Sequence, residues 1–164
     1  MDEASNQQIK QYLTFRLGEE TFAVDVSEVK EIIDDVKLTK IPQTPEYFSG
    51  VINLRGSVLP VINLRTKFGM PFTEVTKDTC IVVMEAKIEG ASVALGTLVD
   101  SVLEVFELEE KEIEPAPKLG SKLNVDFIKG IGKRDQKFMI ILDINKVFSS
   151  EELLLLSQSN ETTM

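Results

Sequence analysis

The sequence predicts an all-β fold built from two similar small β modules. Three observations support this prediction: strand-like segments dominate the 164 residues, helical periodicity is scarce, and one hairpin pattern recurs along the chain. The clearest strand pair is the repeated run VINLR at residues 51–55 and 61–65, which flanks a turn at Gly56. Short antiparallel strands joined by glycine turns favour closure into barrels, because closure removes exposed strand edges.

The predicted strands follow one another as hairpins along the chain. Apolar and β-branched runs of four to nine residues alternate with polar or glycine-containing connections, which is the pattern of an antiparallel sheet. The pairs are residues 12–17 with 21–26, 51–55 with 61–65, 79–86 with 91–99 and 128–132 with 138–144, and residues 102–108 extend the third pair.

Two short helices are expected outside the hairpins. Ser27 is expected to cap a helix in which Val29, Ile32 and Ile33 share one face. Near the end of the chain, Ser149 and Glu152 have the spacing of a capping box, which predicts a docking helix at about residues 150–157. Residues 1–10 and 158–164 are predicted to be flexible tails.

An internal repeat indicates that the two modules are related. A shift of eighty positions places Gly50 on Gly130 and continues through the hairpin without a gap, as far as Phe68 on Phe148. A fainter repeat relates residues 24–25 to 99–100. Chance similarity between apolar strands remains the alternative, since every sheet needs β-branched runs.

Composition excludes several classes of function. The chain contains no histidine and one cysteine, so Ser-His-Asp and Cys-His catalysis and metal sites built on His or Cys clusters are excluded. The net charge of −9, with no basic stripe, argues against nucleic-acid binding. No apolar run approaches the length of a membrane span or of a signal peptide, so a cytoplasmic protein without direct membrane insertion is expected.

Acidic residues are the remaining candidates for a metal or catalytic site. The acidic residues within 107–114 lack the order of an EF-hand loop and read as a solvated connection. Carboxylate pairs are expected by chance among 27 acidic residues, so they do not identify a glycosidase. No metal, cofactor or catalytic residue is assigned.

Specific strings in the chain resemble the signature of the CheW family of bacterial chemotaxis coupling proteins. The longest are GVINLRG at residues 50–56 and LPVINLR at 59–65, and shorter matches lie at 96–100, 115–117 and 128–132. The resemblance extends from about Tyr12 to Leu156.

The resemblance implies a fold of two intertwined five-stranded SH3-like barrels with a short C-terminal helix. It makes residues 11–157 a single CheW-like domain. The first barrel is expected mainly in residues 15–75 and the second mainly in 78–148, with an exchange of edge strands left open.

The resemblance also implies a function without catalysis. Members of the family bind the cytoplasmic tips of methyl-accepting chemoreceptors and the regulatory domain of the histidine kinase CheA. The chain is therefore expected to be an adaptor that lets receptors control kinase autophosphorylation in a two-component system. It is expected in the cytoplasm, in receptor arrays at the inner face of the membrane.

The predicted receptor- and kinase-coupling site combines positions carried over from the family motifs with Ile33, chosen because apolar contacts should carry most of the receptor affinity, and with Asn53 of the signature. Its members are Val29, Glu31, Ile33, Gly50, Asn53, Arg55, Gly56, Gly96 and Val105. The family places Arg55 and Glu31 close together, and the Arg55 guanidinium is a rigid fork suited to a carboxylate, a geometry that lysine does not reproduce. Each glycine has an equally weighted structural interpretation, as a turn or a close strand approach.

Two other classes of protein stay open at this stage. One is a receiver-linked adaptor or a kinase's own regulatory domain with the same fold. The other is a small β-barrel enzyme, which the missing histidine and the absence of a catalytic motif disfavour.

Overall fold

The computed structural model describes residues 9–88, 90–116, 126–149 and 151–152, and the predicted all-β class is confirmed. Within these residues the strands are β1 (Ile9–Leu17), β2 (Glu20–Asp25), β3 (Val29–Ile33), β4 (Phe48–Leu54), β5 (Ser57–Asn63), β6 (Cys80–Ile88), β7 (Ala91–Val99), β8 (Ser101–Glu109), β9 (Ile113–Glu114), β10 (Ile128–Arg134) and β11 (Lys137–Leu142). The short helices are α1 (Leu64–Lys67) and α2 (Ile144–Val147), with 3-10 turns at Val26–Glu28 and Glu110–Glu112.

The strands form two sheets with the same plan. The six-stranded sheet has the order β8-β1-β2-β11-β10-β9, and the five-stranded sheet has the order β3-β6-β7-β5-β4. The sixth strand of the larger sheet is the two-residue β9. The smaller sheet has a counterpart in the bridge between Thr39 and Val51, beside β4. Each sheet contains one parallel pairing, β2 with β11 and β5 with β7, and its other pairings are antiparallel.

The two sheets exchange hairpins across the chain. The hairpin β1–β2 pairs with β8 and β11, whereas β6–β7 pairs with β3 and β5. The sequence division into residues 15–75 and 78–148 therefore differs from the sheets, which combine 9–25 with 101–142 and 29–63 with 80–99. The exchanged strands are inner strands of each sheet, not edges. Strand patterns show which segments are extended, but the partner of each hairpin is set by long-range packing.

Three apolar clusters follow from this arrangement. Two of the clusters each lie inside the curve of one sheet. The cluster in the larger sheet surrounds Leu108, and the cluster in the smaller sheet surrounds Ile81. The largest cluster draws buried residues from both sheets, including Phe15 and Met84, and lies between them. The central cluster therefore joins the two sheets into one packed unit.

The predicted helix at residues 27–33 is wrong. The Asp25 carboxylate, not Ser27, caps a single 3-10 turn by accepting a hydrogen bond from the Ser27 amide at 2.9 Å. The chain then continues as β3, which pairs with β6. Val29, Ile32 and Ile33 are β-branched, and sheet pairing with a buried partner outweighs their helical spacing.

The helices α1 and α2 occupy equivalent places at the ends of the repeated hairpins. Asn63 caps α1 through its side-chain oxygen, which accepts from the Thr66 amide, and Asp143 caps α2 in the same way through Asn145. The eighty-residue repeat aligns these two caps, so its match of Asn63 with Asp143 reflects a shared helix cap at the end of each hairpin.

The predicted capping box near the C-terminus is present. The Ser149 amide donates to Glu152 Oε1 at 2.8 Å, and the Glu152 amide donates to Ser149 Oγ at 3.1 Å. Glu151 and Glu152 are helical, and the rest of the helix predicted at about 150–157 lies outside the described residues.

Candidate functional site

Arg55 lies at the tip of the β4–β5 hairpin. It forms a two-residue turn with Gly56, and both residues have positive φ, +51° for Arg55 and +87° for Gly56. This backbone geometry matches the right-handed twist of the two strands. The Asn53 side-chain oxygen accepts a hydrogen bond from the Gly56 amide at 2.8 Å, so Asn53 fixes the turn that presents Arg55.

The structure brings Arg55 and Glu31 together. Arg55 Nη2 donates to Glu31 Oε1 at 2.8 Å, and the side chains are 73% and 29% exposed. Glu31 belongs to β3 and Arg55 follows β4, which are opposite edges of the five-stranded sheet. In a flat sheet these edges would lie about 19 Å apart. The ion pair therefore shows that the sheet is curled on itself.

The second sheet is bridged by a related contact. Arg134, at the end of β10, donates to the backbone carbonyl of Glu107 in β8. Its guanidinium also lies 5.7 Å from the centre of the Phe106 ring. An arginine beside a hairpin turn thus reaches across the curve in both sheets, with a carboxylate partner in one and a carbonyl and a ring in the other.

The register of β3 separates Val29 from Ile33. A bulge between Val29 and Glu31 shifts the pairing with β6. As a result Ile33 packs into the cluster inside the five-stranded sheet, while Val29 packs against the central cluster. Ile32 lies on the same side of β3 as Val29, because it pairs with the central-cluster residue Val82. Sequence spacing did not single out Ile32 as a site residue.

The edge strand β8 faces the same central cluster from the other sheet. Val102 and Val105 pair with Phe15 and Leu13, which belong to that cluster. Val105 is 48% exposed and Ile32 on β3 is 44% exposed. The two edge strands thus flank an uncovered strip of the central core.

The end of β3 and the start of β8 approach each other beside Cys80, because Ile81 pairs with Ile33 of β3 and Cys80 pairs with Val99, two residues before β8 begins. Burial raises the pKa of the Cys80 thiol, the Val102 amide in β8 partly offsets this by hydrogen bonding, and the Asp34 carboxylate just after β3 raises it further. We name the surface between the strands the apolar groove, defined by Val29, Ile32, Val102 and Val105.

The surroundings of Gly50 and Gly96 explain why each position is a glycine. A Cβ on Gly50 would lie 2.4 Å from the Thr39 carbonyl oxygen, and its φ is +141°. A Cβ on Gly96 would lie 2.7 Å from Ile81 Cγ2, inside the curve of the sheet. Both are close-approach positions away from the apolar groove, and Gly56 faces open space.

A partly buried ion pair that sequence reasoning missed lies where the two sheets meet. Arg65 Nε and Nη2 donate to the two carboxylate oxygens of Asp100 at 2.8–3.1 Å. The Gly18 amide donates to Asp100 Oδ2 at 2.7 Å. Burial would raise the pKa of Asp100, but the hydrogen bonds from Arg65 and Gly18 lower it overall. Arg65 and Asp100 both lie in sequence strings that resemble the family signature. Their pairing was missed because it depends on the three-dimensional fold, which those strings do not specify.

A second missed cluster connects α1 to the C-terminal capping box. Lys67 Nζ lies 2.8 Å from both carboxylate oxygens of Glu152 and 4.7 Å from the centre of the Tyr47 ring. Burial, with the adjacent Glu152 charge and hydrogen bond, raises the pKa of Tyr47 to about 12. Tyr47 therefore stays a neutral hydroxyl at physiological pH, and the cluster anchors the start of the C-terminal segment.

The described part of the chain offers no metal-ligand cluster. No group of three or more His, Cys, Asp or Glu side chains in it is placed to hold an ion. In the same ranges, no helix combines the length and the apolar character needed to cross a bilayer. The geometry instead presents an apolar groove with a charged arginine at a nearby hairpin tip, which defines a binding protein.

Comparison with known proteins agrees with this class. The family model described as a CheW-like domain matches residues 11–152. The chain is 35% identical to the chemotaxis protein CheW of Klebsiella aerogenes over 89% of this chain and 86% of that one. It is 34% identical to the Bacillus subtilis CheW over 85% and 86% of the two chains.

A solved structure shows the same fold. The scaffolding protein TtCheW from Thermoanaerobacter tengcongensis superposes with a TM-score of 0.75 and 39% identity, covering 87% of this chain and 94% of that one. The chain belongs to the CheW family. It is a non-enzymatic chemotaxis scaffolding adaptor that couples receptors to CheA.

Proposed function

We propose that this adaptor holds the cytoplasmic tip of a chemoreceptor in the apolar groove and the regulatory domain of CheA at its hairpin ends. In this arrangement it acts in receptor arrays at the inner face of the membrane, without inserting into the bilayer. The observation that supports the receptor part is the uncovered strip of central core between β3 and β8, where Ile32 and Val105 are close to half exposed.

Apolar contact supplies most of the receptor affinity in this proposal. Buried apolar anchors dominate binding energy, whereas an exposed ion pair contributes about 0–1 kcal/mol. Arg55 and Glu31 lie beside the hairpin tip, where a charged fork would fix the register of the bound receptor helix. Val29 and Val105 remain in the predicted site on this basis, and Ile32 joins them.

The receptor proposal is tested by calorimetric titration of a soluble receptor-tip fragment into the protein. The variants Ile32→Glu and Val105→Glu place a charge in the apolar groove and are expected to weaken binding at least tenfold, the effect of about 1.4 kcal/mol. Phe72→Glu is the matched control, since Phe72 is 72% exposed and lies outside the groove. Equal binding by the groove variants and the control would refute the receptor site.

The kinase part of the proposal rests on the end of the β10–β11 hairpin. Phe138, one residue into β11, is 63% exposed. Its equivalent under the eighty-residue repeat is Val58 in β5, which is half-buried. The family resemblance implies a related double-barrel fold for the kinase regulatory domain, so in this proposal hairpin ends of the two proteins pack in a pseudo-symmetric way.

A second titration tests this face with the isolated regulatory domain of CheA. Phe138→Glu is expected to abolish saturable binding while preserving the receptor-tip affinity, and Phe72→Glu again serves as the control. Retained kinase binding by the Phe138 variant would exclude this hairpin end as the contact.

A further inference from the structure

The connection from β7 to β8 is a corner of one residue, Asp100, between the two sheets. Strand β7 ends at Val99 in the five-stranded sheet, and β8 starts at Ser101 in the six-stranded sheet. The direction in which β8 leaves this corner determines where Val102 and Val105 lie. The corner therefore sets the position of one wall of the apolar groove.

Asp100 is held by groups from both sheets. Its carboxylate accepts from Arg65 at the start of α1, which follows the five-stranded sheet, and from the Gly18 amide in the β1–β2 turn of the other sheet. Its own amide donates to the Arg16 carbonyl in β1 at 3.0 Å. Three independent hydrogen-bonding directions thus fix the corner.

Arg65 is itself held in place. Its Nη1 donates to the Pro71 carbonyl at 2.8 Å, and the side chains of Arg65 and Asp100 are only 13% and 26% exposed. A cleft of about 400 Å³ beside the pair is also lined by Leu103 of β8. A planar fork bonded on two sides defines an orientation that a flexible ammonium cannot reproduce.

We propose that Arg65 and Asp100 are positioning residues that set the width of the apolar groove and thereby the affinity for the receptor tip. This inference rests on the proposed receptor function. Arg65 and Asp100 do not line the groove, but they orient the strand that forms one of its walls. The ion pair of Arg55 and Glu31 has a different place, at the hairpin tip beside the groove.

The groove width is measured directly by pulsed electron paramagnetic resonance. Spin labels on Lys30 of β3 and Glu104 of β8, both exposed, report the separation of the edge strands in a Cys80→Ser background. Arg65→Lys keeps the charge and loses the fork, and it is expected to broaden the distance distribution and shift its maximum. Arg16→Lys is the matched control, because Arg16 lines the same cleft and makes no side-chain hydrogen bond to Asp100.

Binding measurements on the unlabelled variants complete the test. Arg65→Lys is expected to weaken receptor-tip binding roughly 2- to 30-fold and to leave binding of the CheA regulatory domain unchanged. If Arg65→Lys fails to fold, Asp100→Asn gives the same comparison with a smaller change in shape. Equal weakening toward both partners would indicate a general structural role and would overturn the inference.

The two proposals fail in different ways. An unchanged distance distribution in Arg65→Lys overturns the positioning role even when the wild-type protein binds the receptor tip. Absence of wild-type binding to the receptor tip refutes the receptor function, and the distance measurement then still decides whether the pair sets the groove.

Discussion

Arg55 combines a costly backbone with an exposed side chain. A positive φ is unfavourable for a residue with a Cβ, and the ion pair of Arg55 with Glu31 is too exposed to contribute much stability. Arg55→Ala is therefore expected to change the free energy of unfolding by no more than about 1 kcal/mol while weakening receptor-tip binding. Thermal unfolding and calorimetry check the two parts, with Arg55→Lys as the control that keeps the charge. Unfolding of the alanine variant would instead make Arg55 structural.

Glu28, in the turn between the two sheets, has a partly buried carboxylate. Its Oε1 is buried without a hydrogen-bond partner in the described structure. Burial raises the pKa of Glu28, with Asp25 and Asp143 adding to the rise and Lys129 and Lys10 opposing it. A raised carboxyl pKa means that the folded state holds the proton more tightly. The contribution of Glu28 to stability is therefore most favourable below the pKa of the carboxyl in the unfolded chain. It is lost as pH rises through the higher pKa of the folded state.

Glu28→Gln is consequently expected to stabilise the protein at pH 7. The gain should be about 1 kcal/mol or less, because solvent screens a partly exposed charge. Urea unfolding at pH 7 and again near pH 4 measures it, and the advantage should shrink at the lower pH. An advantage that is equal at both pH values would show that charge is not the cause.

The β4–β5 hairpin contains two glycines, Gly50 and Gly56, that both have positive φ but differ in the space around them. Gly50 lies against the Thr39 backbone in the middle of the sheet edge, whereas Gly56 projects into open space at the turn. Gly50→Ala should destabilise the fold by about 2–5 kcal/mol, because it adds both backbone strain and a clash with a carbonyl. Gly56→Ala should cost about 1–2 kcal/mol from its positive φ alone. Chemical denaturation of the two variants checks the order, and equal losses would contradict the steric explanation.

Sequence reasoning succeeded for elements that are specified locally. The hairpin around Gly56 and the capping box of Ser149 depend on residues within a few positions of one another. It failed at β3, where helical spacing of Ile32 and Ile33 competed with pairing to a strand fifty residues away. The proximity of Arg55 and Glu31 came from family resemblance, and the junction of Arg65 with Asp100 was not foreseen. Both pairs depend on sheet curvature and strand order, which neighbouring residues do not encode.

At the scale of the whole molecule, the exchange of hairpins makes each sheet depend on both halves of the chain. The five-stranded sheet has β6 and β7 at its centre, and the six-stranded sheet has β1 and β2 among its inner strands. The central apolar cluster also takes residues from both sheets. A chain ending before β6 therefore keeps only separate hairpins and the lone strand β3, and isolated hairpins are at best marginally stable in water.

This dependence predicts that half-chains fold only together. Residues 1–77 and 78–164, divided within the exposed turn at Lys77 and Asp78, should each lack dispersed amide signals in nuclear magnetic resonance spectra when alone. Mixed at equal concentration, they should form a 1:1 complex with the β-sheet circular dichroism of the intact chain, because all strand partners are then present. The mixture is also the control for the cut, since it differs from the intact protein by one peptide bond. A half-chain that folds by itself would contradict the intertwined topology and restore two independent modules.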